Sequence, residues 1–140
     1  MNNSGLSALL CELVAIPSVN AQGRAPSIQR PGSKAMVEYV ERWLEARGIT
    51  CERQPVVNEQ HNVIATLPGS AAGTTIVFDA HTDTVPADDW LDRAFTPRHE
   101  SDRIYGRGSC DTKGSLAATC SRFPPAVARP SIVRPTASRL

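Results

Sequence analysis

A chain of 140 residues that is 41% hydrophobic is long enough to bury a core, and a formal net charge of +1 gives it no overall acidic or basic character. The balance is uneven: residues 1–111 hold all 14 acidic side chains against 10 basic ones, while residues 112–140 hold five basic side chains and no acid. Beyond residue 118 that basic end offers only Arg122, Arg129, Arg134 and Arg139 with Phe123 as its sole aromatic, too sparse for a nucleic-acid surface, and no apolar run approaches the about 20 residues of a membrane span.

Leu6, Leu9, Leu10, Leu13 and Val14 recur at i, i+3, i+4, i+7 and i+8, which predicts a helix that Pro17 stops. Glu12 interrupts this stretch and no basic run precedes it, so it does not read as a secretory leader. Residues 17–33, rich in Pro, Gly, Ser and Gln, predict a surface loop. Met36, Val37, Val40, Trp43 and Leu44 form a second stripe, with Glu38, Glu41, Arg42 and Glu45 outside it and Gly48 where a capping glycine belongs. Both stripes are core-facing surfaces with no chemistry of their own.

Strands are expected next, at Thr50–Val57, Asn62–Leu67 and Thr74–Ala80, with the turn Pro68–Gly73 joining the last two. Thr74–Phe78 is nearly continuous in β-formers, the pattern of a central strand covered on both faces. Helices before and between strands indicate α/β layers, and His81 then emerges at the C-terminal end of a central strand, where open α/β sheets place their sites. Residues 119–140 differ in character. Pro124, Pro125, Pro130 and Pro135 prevent a helix and disrupt strand ladders, so a segment without fixed structure is expected. Cys11, Cys51, Cys110 and Cys120 form no Cys-x-x-Cys pair and read as isolated thiols of a reducing, cytoplasmic compartment.

Two segments carry chemistry. Asp79-Ala80-His81-Thr82-Asp83 leaves the apolar run, and Gly106-Arg107-Gly108-Ser109-Cys110-Asp111 places its aspartate 30 residues beyond His81. One imidazole and two carboxylates on short, Gly- and Pro-punctuated segments suit a hard or borderline ion such as zinc. A lone His on a strand is more often a hydrogen-bonded structural residue than a ligand. The crowding of Asp79, His81 and Asp83 at the end of an apolar run argues the other way. Residues i and i+2 of a strand share a side, so Asp83 can sit beside His81 and fix its tautomer, a role that suits it better than direct coordination. The glycine-rich stretch lacks the third glycine of a dinucleotide fingerprint, and Lys113-Gly114 reverses the order of a phosphate loop. Its glycines permit tight turns around Asp111; without the His-x-Asp segment it would read as an ordinary surface loop.

Together the two motifs resemble the metallopeptidase family of acetylornithine deacetylase, succinyl-diaminopimelate desuccinylase, aminoacylase and glutamate carboxypeptidase. The similarity runs from about Leu6 to Ala118 and includes Leu13–Val19, Asn62–Ala65, Trp90 and Phe95–Pro97. The resemblance implies that His81 binds one metal ion, that Asp111 bridges two, and that Asp83 is the catalytic residue orienting His81. It implies two zinc or cobalt ions, a cis Asp111–Thr112 peptide, and a hydrolase of amino-acid metabolism that deacylates N-acyl amino acids. Desuccinylase and dipeptidase or carboxypeptidase chemistry are the alternatives within that class. The implied fold is α/β, a truncated zinc-peptidase-like catalytic domain with helices packed on a mostly parallel sheet and the lid domain absent.

The family's Glu-Glu pair, which holds the general base, a further carboxylate ligand and a C-terminal His ligand lie downstream of these motifs, and beyond Asp111 this chain has no Asp, Glu or His. His61, His99, Glu59 and Glu100 precede Asp111 and cannot take those roles by motif. The expected organisation is therefore residues 1–118 as the N-terminal part of a catalytic domain and residues 119–140 as an irregular Pro/Arg-rich tail. That tail resembles out-of-frame translation of a GC-rich gene, with a real truncated product or a short paralogue as alternatives. A small N-acyl amino acid or peptide is the expected substrate of the enzyme class, with no nucleic-acid or membrane partner and no lid-mediated dimer. This chain alone is expected to be inactive. The competing class is a non-enzymatic fragment or interaction protein lacking a two-metal site.

Overall fold

A computed structural model of the chain describes residues 3–20, 33–56, 60–69, 73–87 and 90–123. Helices α1 (Asn3–Ala15) and α2 (Ser33–Glu45) form where the two apolar stripes predict them. Leu9, Leu13, Met36, Val40 and Leu44 are buried together, so the stripes face one core. Gly48, at φ 70, ends α2: its N–H donates to the Glu45 carbonyl and the Ile49 N–H reaches back to that of Leu44 at 3.1 Å.

The two helices are also joined by a polar contact, the Tyr39 hydroxyl donating to Glu12 Oε2. Burial first, then that hydrogen bond and the Glu12 charge, hold the phenol above its ordinary value. A phenol with a higher folded than unfolded pKa keeps its proton longer in the folded state, so stability falls as pH rises above about 10. Tyr39→Phe is expected to lower stability by about 1 kcal/mol near neutral pH and to flatten that alkaline fall. Urea unfolding at neutral and alkaline pH measures both; equal midpoints for the two proteins at each pH would show that the bond contributes nothing.

Strands β1 (Cys51–Pro55) and β2 (His61–Ala65) pair antiparallel in the register Cys51↔Ala65 to Pro55↔His61. Helix α2 lies over this hairpin. Val63 and Ala65 pack against the core while Ile64 points outward, the alternation of a sheet covered on one face. A short helix α3 (Leu91–Ala94) precedes a second antiparallel hairpin, β3 (Arg98–Glu100) with β4 (Arg103–Tyr105), turned at Ser101 with φ 54. Helix α4 (Lys113–Ser121) packs on α1 and adds Leu116, Ala117 and Cys120 to the core. Among the described residues no helix is long and apolar enough to cross a membrane.

The chain is α/β as expected, but the described residues do not show the expected mostly parallel sheet. Among the described residues both sheets are two-stranded and antiparallel, and the parallel pairing is a single bridge between Val19 and Thr84. The run Thr74–Ala80, expected as a central strand, joins neither sheet. Ile76, Val77 and Phe78 are 76%, 79% and 64% exposed. The physical reason is that β-propensity describes a fit to a pleated, half-buried surface, and here no described strand lies alongside to create one. Helix α4 runs to Ser121, with Cys120 buried in the core. The expected irregularity of residues 124–140 and most of the expected loop at 17–33 lie outside the described residues, as does Val57 at the end of the first expected strand.

Candidate metal centre

The site is assembled from three stretches of chain that the fold brings together. The stretch after α1 runs beside the His-x-Asp segment, where the Thr84 N–H donates to the Ser18 carbonyl and the Asn20 N–H to that of Thr84, both at 2.8 Å. These two bonds hold the His-x-Asp segment beside the stretch that follows α1. The third stretch is the loop from β4 to α4, and it comes in close. A Cβ at Gly106 would lie 2.3 Å from Val14 Cγ1, and one at Gly108, with φ +80, would lie 2.7 Å from Thr84 Cγ2. Glycine at these positions lets the loop rest against both α1 and the His81 segment.

Thr112 occupies the N-cap position of α4 but makes no capping bond; its Oγ1 donates instead to the His81 carbonyl at 2.6 Å. The Asp111–Thr112 peptide is cis, as the resemblance implies. Beneath this loop Lys113 is fully buried, with Nζ donating to the Ile16 carbonyl at 2.8 Å and lying 5.7 Å from the Phe95 ring. Burial pulls its pKa down to about 8. Lys113 thus ties the residue after α1 to the start of α4, two residues beyond Asp111 in the chain.

His81 is held at both ring nitrogens. Nδ1 lies 3.0 Å from the Asp83 carbonyl and 3.0 Å from Asp83 Oδ1, while Nε2 lies 3.1 Å from Asp111 Oδ1. Partial burial pulls the imidazole pKa down, but the Asp111 hydrogen bond, the Asp83 carbonyl and the two carboxylate charges outweigh it, so the net shift is upward. The arrangement therefore favours positive charge at the ring. The three side chains line a cleft of ≈ 340 Å³ together with Asn20, Trp90 and Arg107.

His81, Asp83 and Asp111, the residues to which the two motifs point, lie together in the structure, although after a segment that joins no described sheet rather than at a sheet edge. Asp79 is exposed and does not line the cleft. His99 and Glu100 are exposed on β3 and His61 is on β2, all outside the cleft; Glu59 lies outside the described residues. Sequence reasoning missed Asn20, whose Nδ2 donates to Asp83 Oδ2 at 2.7 Å, and Arg107, whose guanidinium lies 4.8 Å from the Trp90 ring centroid. Asn20 is 63 residues from Asp83 in sequence, a separation that carries no local signal. Trp90 was visible only through the resemblance.

The donor set suits a divalent metal. Two ligands on one tetrahedral zinc stand about 3.3 Å apart, from metal–ligand distances of about 2.0–2.1 Å. His81 Nε2 and Asp111 Oδ1, at 3.1 Å, need only a small opening to admit the ion between them. A nitrogen and a carboxylate oxygen match a borderline ion, and Asp83 backs the far ring nitrogen as the partner of a ligating His does. Among the described residues no group of three or more His, Cys, Asp or Glu converges to hold a metal.

The comparisons with known proteins agree with this geometry. Residues 77–124, which contain His81, Asp83 and Asp111, match the model for peptidase family M20/M25/M40. The chain is 33% identical over 110 residues to an acetylornithine deacetylase of Proteus mirabilis, covering 76% of this chain and 27% of that protein. It is 34% identical over 118 residues to the acetylornithine deacetylase of Myxococcus xanthus, covering 80% of this chain and 28% of that one. A succinyl-diaminopimelate desuccinylase of Paracidovorax citrulli is 36% identical over 102 residues, covering 66% and 26% respectively. The chain spans about a quarter of the length of these curated relatives. Residues 77–124 thus belong to peptidase family M20/M25/M40, the family to which the two motifs point.

Proposed function

We propose that this chain carries the front part of the metal centre of an amide hydrolase of the acetylornithine deacetylase type, acting in its class on N-acyl amino acids. The observation that carries the reading is His81 Nε2 facing Asp111 Oδ1 at 3.1 Å while Asp83 holds the opposite ring nitrogen. In this reading His81, through Nε2, and the Asp111 carboxylate would hold zinc or cobalt. The chemistry supplied by the bound ions is acidification of a water and polarisation of an amide carbonyl. Asp83 keeps the proton of His81 on Nδ1, leaving the Nε2 lone pair free. Thr112 and Lys113 hold the loop that delivers Asp111, and Trp90 and Arg107 wall one side of the cleft where an acyl amino acid would lie.

Two donors leave each ion short of the protein ligands that hydrolytic centres use, and no carboxylate beyond Asp111 is present to serve as base. This chain alone is therefore expected to hydrolyse neither N-acetylornithine nor N-succinyl-diaminopimelate with added zinc or cobalt. The assay is release of ornithine or diaminopimelate. Metal-dependent turnover that disappears in both His81→Ala and Asp111→Ala would overturn this expectation and mean that a second chain completes the centre.

A further inference from the structure

We propose that Asn20 is a positioning residue for the metal centre: it locks the Asp83 carboxylate and thereby selects the Nδ1–H tautomer of His81. The inference rests on reading His81 as a metal ligand and adds a determinant outside residues 77–124, the stretch that carries the family match. The Asn20 backbone is pinned by its N–H donating to the Thr84 carbonyl at 2.8 Å, next to the Thr84 N–H bond to Ser18. Its side chain then points Nδ2 at Asp83 Oδ2, 2.7 Å away. The amide must present its NH₂ here, because its carbonyl oxygen would meet a carboxylate oxygen. With Oδ2 held, the second oxygen of Asp83 is turned to His81 Nδ1 at 3.0 Å, and His81 Nε2 is left facing Asp111.

The chain of contacts runs Asn20, Asp83, His81, Asp111, and each link decides the next. In neutral imidazole a single proton chooses between Nδ1, beside Asp83, and Nε2, beside Asp111. Only the Nδ1–H form leaves Nε2 able to accept a metal. The Asp83 side chain is 40% exposed, so without Asn20 its carboxylate can rotate toward water, which leaves the Asp83 carbonyl, also 3.0 Å from Nδ1, as the remaining acceptor and weakens the bias.

The test uses ¹⁵N-labelled whole protein without metal, at a pH high enough that the spectrum itself shows His81 as a neutral imidazole. Long-range ¹H–¹⁵N spectra give the His81 tautomer ratio. The wild type is expected to show mainly Nδ1–H. Asn20→Ala is expected to shift the ratio several-fold toward Nε2–H, and Asn20→Asp, which keeps the size but sets carboxylate against carboxylate, at least as far. In an Asp83→Ala background Asn20→Ala should change nothing further, whereas a merely structural role would persist there. An unchanged ratio in Asn20→Asp, with the backbone spectrum preserved, overturns the proposal. So does an equal shift with and without Asp83. Isothermal titration with zinc is the separate arm: removing a carboxylate partner of a ligating His costs about 10–100-fold in affinity, so Asn20→Ala, one contact further out, should cost about 5-fold. Absence of zinc binding in the wild type would refute the metal reading, while the tautomer ratio would still decide the role of Asn20.

Discussion

Alanine at His81 or at Asp111 is expected to weaken zinc and cobalt binding by about 100-fold, and alanine at Asp83 by about 10-fold. Structural zinc sites with four protein ligands supply about 10–16 kcal/mol, so two donors supply roughly half, a dissociation constant on the order of 10–100 μM. Losing one of two donors removes about 3 kcal/mol more, which is about 100-fold. Asp83 does not face the metal position; its loss frees the imidazole to rotate and to change tautomer, the smaller effect that an orienting carboxylate shows. All three side chains are 40% exposed or more, so the substitutions leave the core of Leu9, Leu13, Met36 and Leu116 intact. Isothermal titration with each variant reads the ranking. Wild-type affinity in His81→Ala would show that the ion binds elsewhere, at His61, His99 or a cysteine, and would end the shared-site reading.

The second large effect concerns Thr74–Phe78. Ile76, Val77 and Phe78 are consecutive, so their side chains alternate between two sides, yet all three are more than 60% exposed. An exposed apolar segment beside which no described strand lies invites pairing with another strand. The wild-type chain is expected to self-associate at micromolar concentration and to bind a hydrophobic dye. Val77→Lys and Phe78→Lys should each weaken association about 10-fold or more, since covering either side chain stabilises a contact by about 1.5–3 kcal/mol. Neither residue belongs to the buried core, so folding should be unaffected. Sedimentation velocity across a concentration series checks this; a wild type that stays monomeric and dark to the dye would show that the run is covered.

What the sequence by itself determined here is local in origin. The stripes from Leu6 to Val14 and from Met36 to Leu44 specify α1 and α2 because a 3.6-residue period needs only near neighbours. The two-residue spacing of His81 and Asp83 specifies their contact for the same reason, and Gly48 marks the end of α2 by the backbone angle it alone takes easily. The meeting of His81 with Asp111 was legible only because the pair of motifs is itself a family pattern. The rest depended on tertiary structure. Nothing near Asn20 announces Asp83, nothing near Lys113 announces the Ile16 carbonyl 97 residues away, and the hairpin of β3 and β4 is too short for an alternating pattern to stand out. Thr74–Phe78 shows the converse: its composition is that of a buried strand, but burial and pairing are supplied by neighbours, and among the described residues none lies alongside.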